Sequence, residues 1–140
     1  MSTYPLSIRF DASVIERLRR WARSHTTTPS GLVQDLVDEG LRMRETPGII
    51  FKPGPSGRRA SLAGGPDVWE IMAAVKETPA EAGDKVASVA EEMGLPASLV
   101  DLALTYYSRY PAEIDREIAD NELAAEAAFK AWQVRQAALS

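Results

Sequence analysis

The chain of 140 residues has no cysteine, a single histidine and no long hydrophobic run. Without cysteine it has no disulfides, no thiol nucleophile and no cysteine-ligated zinc. With His25 as its only histidine, it cannot build a metal site from several histidines. Its apolar runs, such as Ile49-Ile50-Phe51, are far shorter than the roughly 18 residues of a transmembrane helix. Residues 1–10 also lack the pattern of a secretory signal, so we expect a cytoplasmic protein with no membrane partner.

The charge is distributed unevenly along the chain. Residues 1–45 carry a net charge of +1, residues 46–66 carry +3, and residues 67–140 carry −8. We therefore predict three segments with these bounds: a front domain, a basic Gly/Pro-rich hairpin or linker, and an acidic helical domain. A basic front and an acidic back favour two partners of opposite character, although chance unevenness is the alternative.

The front segment has the pattern of one strand followed by two helices. Leu6, Ile8 and Phe10 alternate with polar residues, which is typical of a strand with one buried face. Asp11 is a candidate N-cap, and Thr28 followed by Pro29 indicates the start of a second helix. Two apolar stripes at helical spacing follow these caps: Val14, Ile15, Leu18, Trp21 and Ala22, then Leu32, Val33, Leu36, Val37 and Leu41.

A single strand and two short helices bury too little surface to form a core alone. A second copy that pairs strand to strand about a two-fold axis would complete the domain, so we predict a homodimer. This order of elements over residues 4–45 resembles the ribbon-helix-helix repressors of the CopG, Arc and MetJ group. The resemblance is carried by Pro5–Phe10, by Asp11 and by Thr28–Val33.

The resemblance implies that the paired strands enter the major groove of double-stranded operator DNA. The outward residues of the strand would be Pro5, Ser7 and Arg9, with Arg9 as the candidate for a bidentate guanine contact. Thr28 and Ser30 match the family's phosphate-binding position at the start of the second helix. The alternative is an ordinary edge strand in which Arg9 is a solvated charge.

The middle segment predicts a short β-hairpin. Ile49–Lys52 and Arg58–Leu62 flank Pro53–Gly57, a stretch rich in turn-forming residues. The glycines match no phosphate-loop pattern, so nucleotide binding is disfavoured. We expect a solvated basic hairpin or an additional contact to the DNA backbone.

The back segment predicts helices around a glycine turn. Lys85–Met93, Gly94 and a helix from Pro96 to Tyr107 have the order of a helix-turn-helix. The second helix of this pair contains Asp101 but no lysine or arginine, so it lacks the main source of DNA affinity. We therefore predict a structural or protein-binding role for the pair.

The middle and back segments together resemble an antitoxin-associated family, the domain of unknown function numbered four-three-three. The resemblance covers roughly residues 47–120. It is carried by Pro47–Phe51, by Gly64–Glu70, and by Tyr106-Tyr107 leading to Pro111–Asp115. It implies an antitoxin whose partner is a cognate toxin, such as one with a PIN-like nuclease fold.

The last segment predicts one long helix. From Pro111 to Ala138 the only proline is the first residue and there is no glycine, and about 28 helical residues would span about 42 Å. We expect Phe129 and Trp132 to anchor this helix in a groove of the toxin. The alternatives are ordinary packing against the helices of residues 67–107, packing of the helix on its own dimer mate, and fraying of the helix in the free protein.

These observations predict a mainly α protein: a ribbon-helix-helix domain, a short hairpin, and a helical domain with a helix-turn-helix-like core and a long terminal helix. No catalytic motif is present, and we expect no catalytic residues, no metal and no cofactor. The predicted function is a dimeric DNA-binding antitoxin that represses its own operon and neutralises a toxin. A stand-alone ribbon-helix-helix regulator is one alternative, and a protein adaptor that uses its strand only to dimerise is another.

Overall fold

The structure is a computed structural model that describes residues 2–79, 81 and 83–140. The described residues are mainly helical and contain one small antiparallel sheet, as the sequence predicted. The elements are α1 Ala12–Ser24, α2 Pro29–Glu45, β1 Ile49–Lys52, β2 Arg59–Leu62, α3 Val68–Glu77, α4 Lys85–Met93, α5 Ala97–Arg109 and α6 Pro111–Leu139.

The chain divides into two compact units. The first ends at Arg42 and the second runs from Met43 to Ser140, so the division falls inside α2. The hairpin belongs to the same unit as the helices that follow it.

The first unit consists of an irregular N-terminal segment, α1 and most of α2. Residues 2–10 have neither helical nor strand structure in the single chain. Asp11 takes the N-cap position of α1 in an extended conformation, but its side chain makes no capping hydrogen bond. Thr28 does cap α2, since its Oγ1 accepts a hydrogen bond of 3.0 Å from the amide of Gly31. Ala22 is the one described residue of this unit with a buried side chain.

The second unit has a continuous hydrophobic core. The two strands pair antiparallel, with Ile49 opposite Leu62 and Lys52 opposite Arg59, which confirms the predicted hairpin. One face of the hairpin is buried against the helices, so the segment is part of the core and not only a solvated connector. The buried apolar side chains are Ile49, Ala60, Leu62, Val68, Ile71, Met72, Val89, Ala90, Val100, Ala103, Tyr106, Ile114 and Ile118.

Gly48 leads into the hairpin with a φ of +105°, a conformation that disfavours any residue with a side chain. A Cβ at this position would also lie 2.7 Å from Cδ2 of Leu102 on α5. The backbone of the hairpin therefore approaches α5 as closely as it does because residue 48 is glycine.

Residues at the helix ends make the capping interactions that their side chains and backbone preferences favour. Asp67 and Glu70 form a capping box at the start of α3. Gly94 ends α4 in the left-handed conformation, with a φ of 66°, and the amide of Leu95 donates to the carbonyl of Ala90. The predicted order of helix, glycine turn and helix is therefore present between α4 and α5.

The long terminal helix predicted from Pro111 is also present, as the 29-residue helix α6. Ile114 and Ile118 bury its first turns in the core, and Asp115 accepts hydrogen bonds from Lys76 of α3 and Tyr107 of α5. From residue 122 to the end, every side chain is exposed. About half of this helix therefore extends beyond the core that supports it.

Candidate nucleic-acid and partner-binding surfaces

The N-terminal segment carries the residues predicted to read DNA. Pro5, Ser7 and Arg9 are all exposed. The alternate residues are uncovered as well, with Leu6 81% exposed, Ile8 53% and Phe10 41%. A strand that pairs only with a second copy has no hydrogen-bonding partner in one chain, so the ribbon stays a prediction.

The start of α2 carries the two residues predicted to bind phosphate. Thr28 is occupied as the helix cap, while Ser30 is exposed in the first turn. This turn contains no acidic side chain, so nothing within it neutralises the positive end of the helix dipole. The arrangement can accept an anion, as helix N-termini commonly do.

The two helices of the first unit leave much of the predicted apolar stripes exposed. Trp21 of α1 is exposed and stacks on His25 with ring centroids 4.0 Å apart. On α2, Leu36, Val37 and Leu41 are each more than half exposed. Large exposed apolar side chains at regular helical spacing are typical of an interaction surface.

The second half of α6 forms a separate apolar surface. Phe129 and Trp132 stack with ring centroids 5.9 Å apart and an interplanar angle of 18°. They are 57% and 55% exposed. Ordinary packing against α3 to α5 was one alternative for this helix, and it applies only to the first turns, where Ile114 and Ile118 are buried.

A charged cluster that the sequence did not reveal ties the hairpin to α3. The carboxylate of Asp67 is almost fully buried, with Nε of Arg59 at 2.8 Å and Nζ of Lys52 at 3.6 Å. The indole N–H of Trp69 donates to the same carboxylate over 3.2 Å. Because a buried carboxylate needs such partners, the cluster fixes how β2 meets the first turn of α3.

The pKa of Glu117, on α6, is strongly raised. Burial raises its pKa to about 7, and repulsion from Glu113 and Asp67 adds to the effect, while Arg59 and Arg116 oppose it. Its Oε2 is buried and accepts no hydrogen bond from the described residues. Sequence reasoning missed this group because its surroundings come from β2, α3 and α6.

Glu117 lines a cleft of about 320 Å³ beside the hairpin turn. The other lining residues are Ser56, Gly57, Arg58, Glu113, Arg116 and Asp120. Within residues 2–79, 81 and 83–140, no group of three or more acidic, histidine or cysteine side chains is arranged to hold a metal ion.

Comparison of the chain with protein-family models, with curated proteins and with solved structures finds no match. No helix in the described residues combines the length and hydrophobicity needed to cross a membrane. The two exposed surfaces, around the N-terminal segment and along the second half of α6, are therefore the features that indicate a function.

Proposed function

We propose that the protein is a DNA-binding antitoxin that acts as a homodimer, represses its own operon and neutralises a cognate toxin through its C-terminal region. The observation that carries this proposal is the first unit. It has an irregular N-terminal segment with alternating apolar residues and two helices with regular apolar stripes, yet Ala22 is its one described buried side chain. A second copy with the same pattern supplies the missing surface, as in the ribbon-helix-helix arrangement.

In this arrangement Leu6, Ile8 and Phe10 face the dimer core, and Pro5, Ser7 and Arg9 face the DNA. Arg9 donates two hydrogen bonds to a guanine edge, and Ser7 contacts a neighbouring base. Pro5 contributes apolar contact only, because it lacks an amide hydrogen. Ser30 and the start of α2 hold a backbone phosphate on each side of the groove.

The second surface binds the toxin. Phe129 and Trp132 form a stacked aromatic pair on a helix that its own domain does not cover, which suits a helix-in-groove interface. Residues 67–140 carry a net charge of −8, which complements a basic, nucleic-acid-processing toxin such as a PIN-like nuclease. The glycine turn between α4 and α5 then has a structural role.

Fluorescence anisotropy on the DNA upstream of the gene tests the first half of the proposal. We expect tight, salt-sensitive binding that Arg9→Ala weakens by about 10-fold or more, since one bidentate pair is worth about 1–3 kcal/mol. Arg135→Ala is the matched control, because it removes an exposed arginine from α6. Specific binding that is indifferent to Arg9 would refute the ribbon as the DNA reader.

Co-expression with the product of the adjacent reading frame tests the second half. We expect Phe129→Ala and Trp132→Ala each to reduce neutralisation, while Leu123→Ala, on the opposite side of α6, leaves it unchanged. Truncation after Tyr110 should retain operator binding and lose neutralisation. If no neighbouring product is toxic, the protein is instead a stand-alone regulator.

A further inference from the structure

The second half of α6 has a stripe of exposed apolar side chains. This stripe lies on the same side of the helix as the side chains that its first turns bury in the core. Ile114 and Ile118 lie in the core, and Ala125, Phe129 and Trp132 follow on the same side of the helix at spacings of three, four and seven. The stripe ends at Leu139, which is 73% exposed. The apolar face therefore runs beyond the core, and no element of the described residues covers it there.

This stripe is complementary to itself when a second α6 is laid against it in the opposite direction. With the two-fold axis midway between Ala128 and Phe129, Trp132 of one copy lies level with Ala125 of the other, and the two copies of Phe129 lie side by side at the axis. The polar side chains of Gln136 and Asn121 are also level. The largest side chain of the stripe thus lies opposite a small one, which favours close packing of two helices.

The overlap also has the right extent. In the same register Leu139 of one copy reaches the level of Ile118 in the other, where the core of the second unit begins. The two helices then overlap over about 33 Å, at 1.5 Å per residue. The stretch that lacks a partner in one chain is therefore the stretch that the second helix covers.

The charges of α6 favour the antiparallel direction. Residues 111–126 contain six acidic residues and one arginine, whereas residues 127–140 contain Lys130 and Arg135 and no acidic residue. An antiparallel pair lays the basic end of each helix along the acidic half of the other. A parallel pair would align the two acidic halves and lose this attraction.

We infer that, in the protein on its own, the second half of α6 pairs antiparallel with α6 of a second copy, centred between Ala128 and Phe129. The inference also implies a regulatory step, which rests on the proposed function. In this step the toxin competes with α6 of the second copy for Phe129 and Trp132. The dimer made by the first unit is a separate contact and is not required for the pairing.

The absence of cysteine allows a direct test of the register in the full-length protein. Ala128 lies next to the proposed two-fold axis, so the two copies of this residue are offset by about 1.5 Å along the helices. The two copies of Ala125 are offset by about 10.5 Å, too far for a disulfide. Under mild oxidation we expect Ala128→Cys to form a disulfide dimer about tenfold faster than Ala125→Cys.

Both variants replace an exposed alanine on the same stripe, so each experiences the same local concentration from any dimer contact elsewhere. Equal rates for the two variants, or no disulfide from either, would overturn the inference. Adding Trp132→Ala to Ala128→Cys should slow the reaction, and an unchanged rate would also count against the pairing. Operator binding of the reduced variants is measured in parallel, so failure of the pairing and failure of the proposed DNA binding are recorded separately.

Discussion

The two units of this protein bury their apolar residues to very different extents. The second unit, up to the first turns of α6, covers its large apolar side chains within one chain, including Leu62, Ile71 and Tyr106. The first unit has apolar stripes of the same regularity, yet Trp21 and Leu36 are more than half exposed. A regular apolar pattern therefore indicates a face that becomes buried, but it does not show whether the residues that cover it belong to the same chain or to another.

The largest effect should come from the core of the second unit. Leu62→Ala removes a fully buried side chain and should lower the free energy of unfolding by about 2–5 kcal/mol. Leu123→Ala is the control, because Leu123 is 64% exposed and its loss should change stability by less than about 0.5 kcal/mol. Urea denaturation at one protein concentration measures both, and similar losses would contradict the self-contained core.

The next effect concerns pH and again involves the second unit. The pKa of Glu117 is about 7 in the folded protein, above its ordinary value of 4.5, so the folded state binds the proton more tightly. The contribution of Glu117 to stability should therefore be greatest below pH 4.5, decrease as the pH rises towards 7, and change little further above it.

Glu117→Gln isolates this contribution from the other titrating groups. The variant should gain about 1 kcal/mol over the wild type at pH 8, after allowance for solvent screening of a half-exposed group, and gain little at pH 4.5. Urea midpoints of both proteins at the two pH values give the difference. If the stability difference between the two proteins is the same at both pH values, the pKa of Glu117 is not raised by its surroundings.

Dilution separates the two units more directly. If α1 folds only in a dimer, its amide protection should fall about threefold for each tenfold dilution, because the dissociated chain is favoured by mass action. Amides of the hairpin should change far less, since their hydrogen bonds lie within one unit. Hydrogen exchange followed by mass spectrometry resolves the segments, and equal behaviour of α1 and the hairpin would remove the contrast between the units.

The smallest effect lies at the end of α2. The Tyr110 hydroxyl donates a hydrogen bond of 2.9 Å to Glu45, and both groups belong to the second unit. Tyr110→Phe should cost about 0.5 kcal/mol, because the hydrogen bond is exposed to solvent. A loss comparable with that of Leu62→Ala, measured in the same urea series, would show that the end of α2 is a principal support of the second unit.

The sequence was sufficient for features that depend on neighbouring residues. Pro29, Gly94 and Pro111 set helix boundaries through their own backbone preferences, and each boundary was predicted. The hairpin was also predicted, but its burial was not, because a Gly/Pro-rich stretch has the same composition in a linker and in a core. Burial depends on α3 and α5, which are separate from it in sequence.

The candidate sites also divide into those that neighbouring residues predict and those that depend on distant parts of the chain. Arg9, Phe129 and Trp132 were identified by spacing, and the structure places all three on exposed surfaces. The clusters around Asp67 and Glu117 were missed, since each draws groups from elements far apart in the chain. Charge alone gave no signal, because a buried carboxylate and a surface carboxylate look the same in a sequence.

Gly48 has a consequence for how this sequence can change over generations. Its φ of +105° lies outside the range that residues with a side chain adopt, and a Cβ there would also displace the end of the Leu102 side chain. Gly64 has a φ of +70°, within the left-handed region that asparagine tolerates, and a Cβ there would meet nothing within 4 Å. We therefore expect asparagine to substitute for Gly64 in divergent descendants, while residue 48 stays glycine.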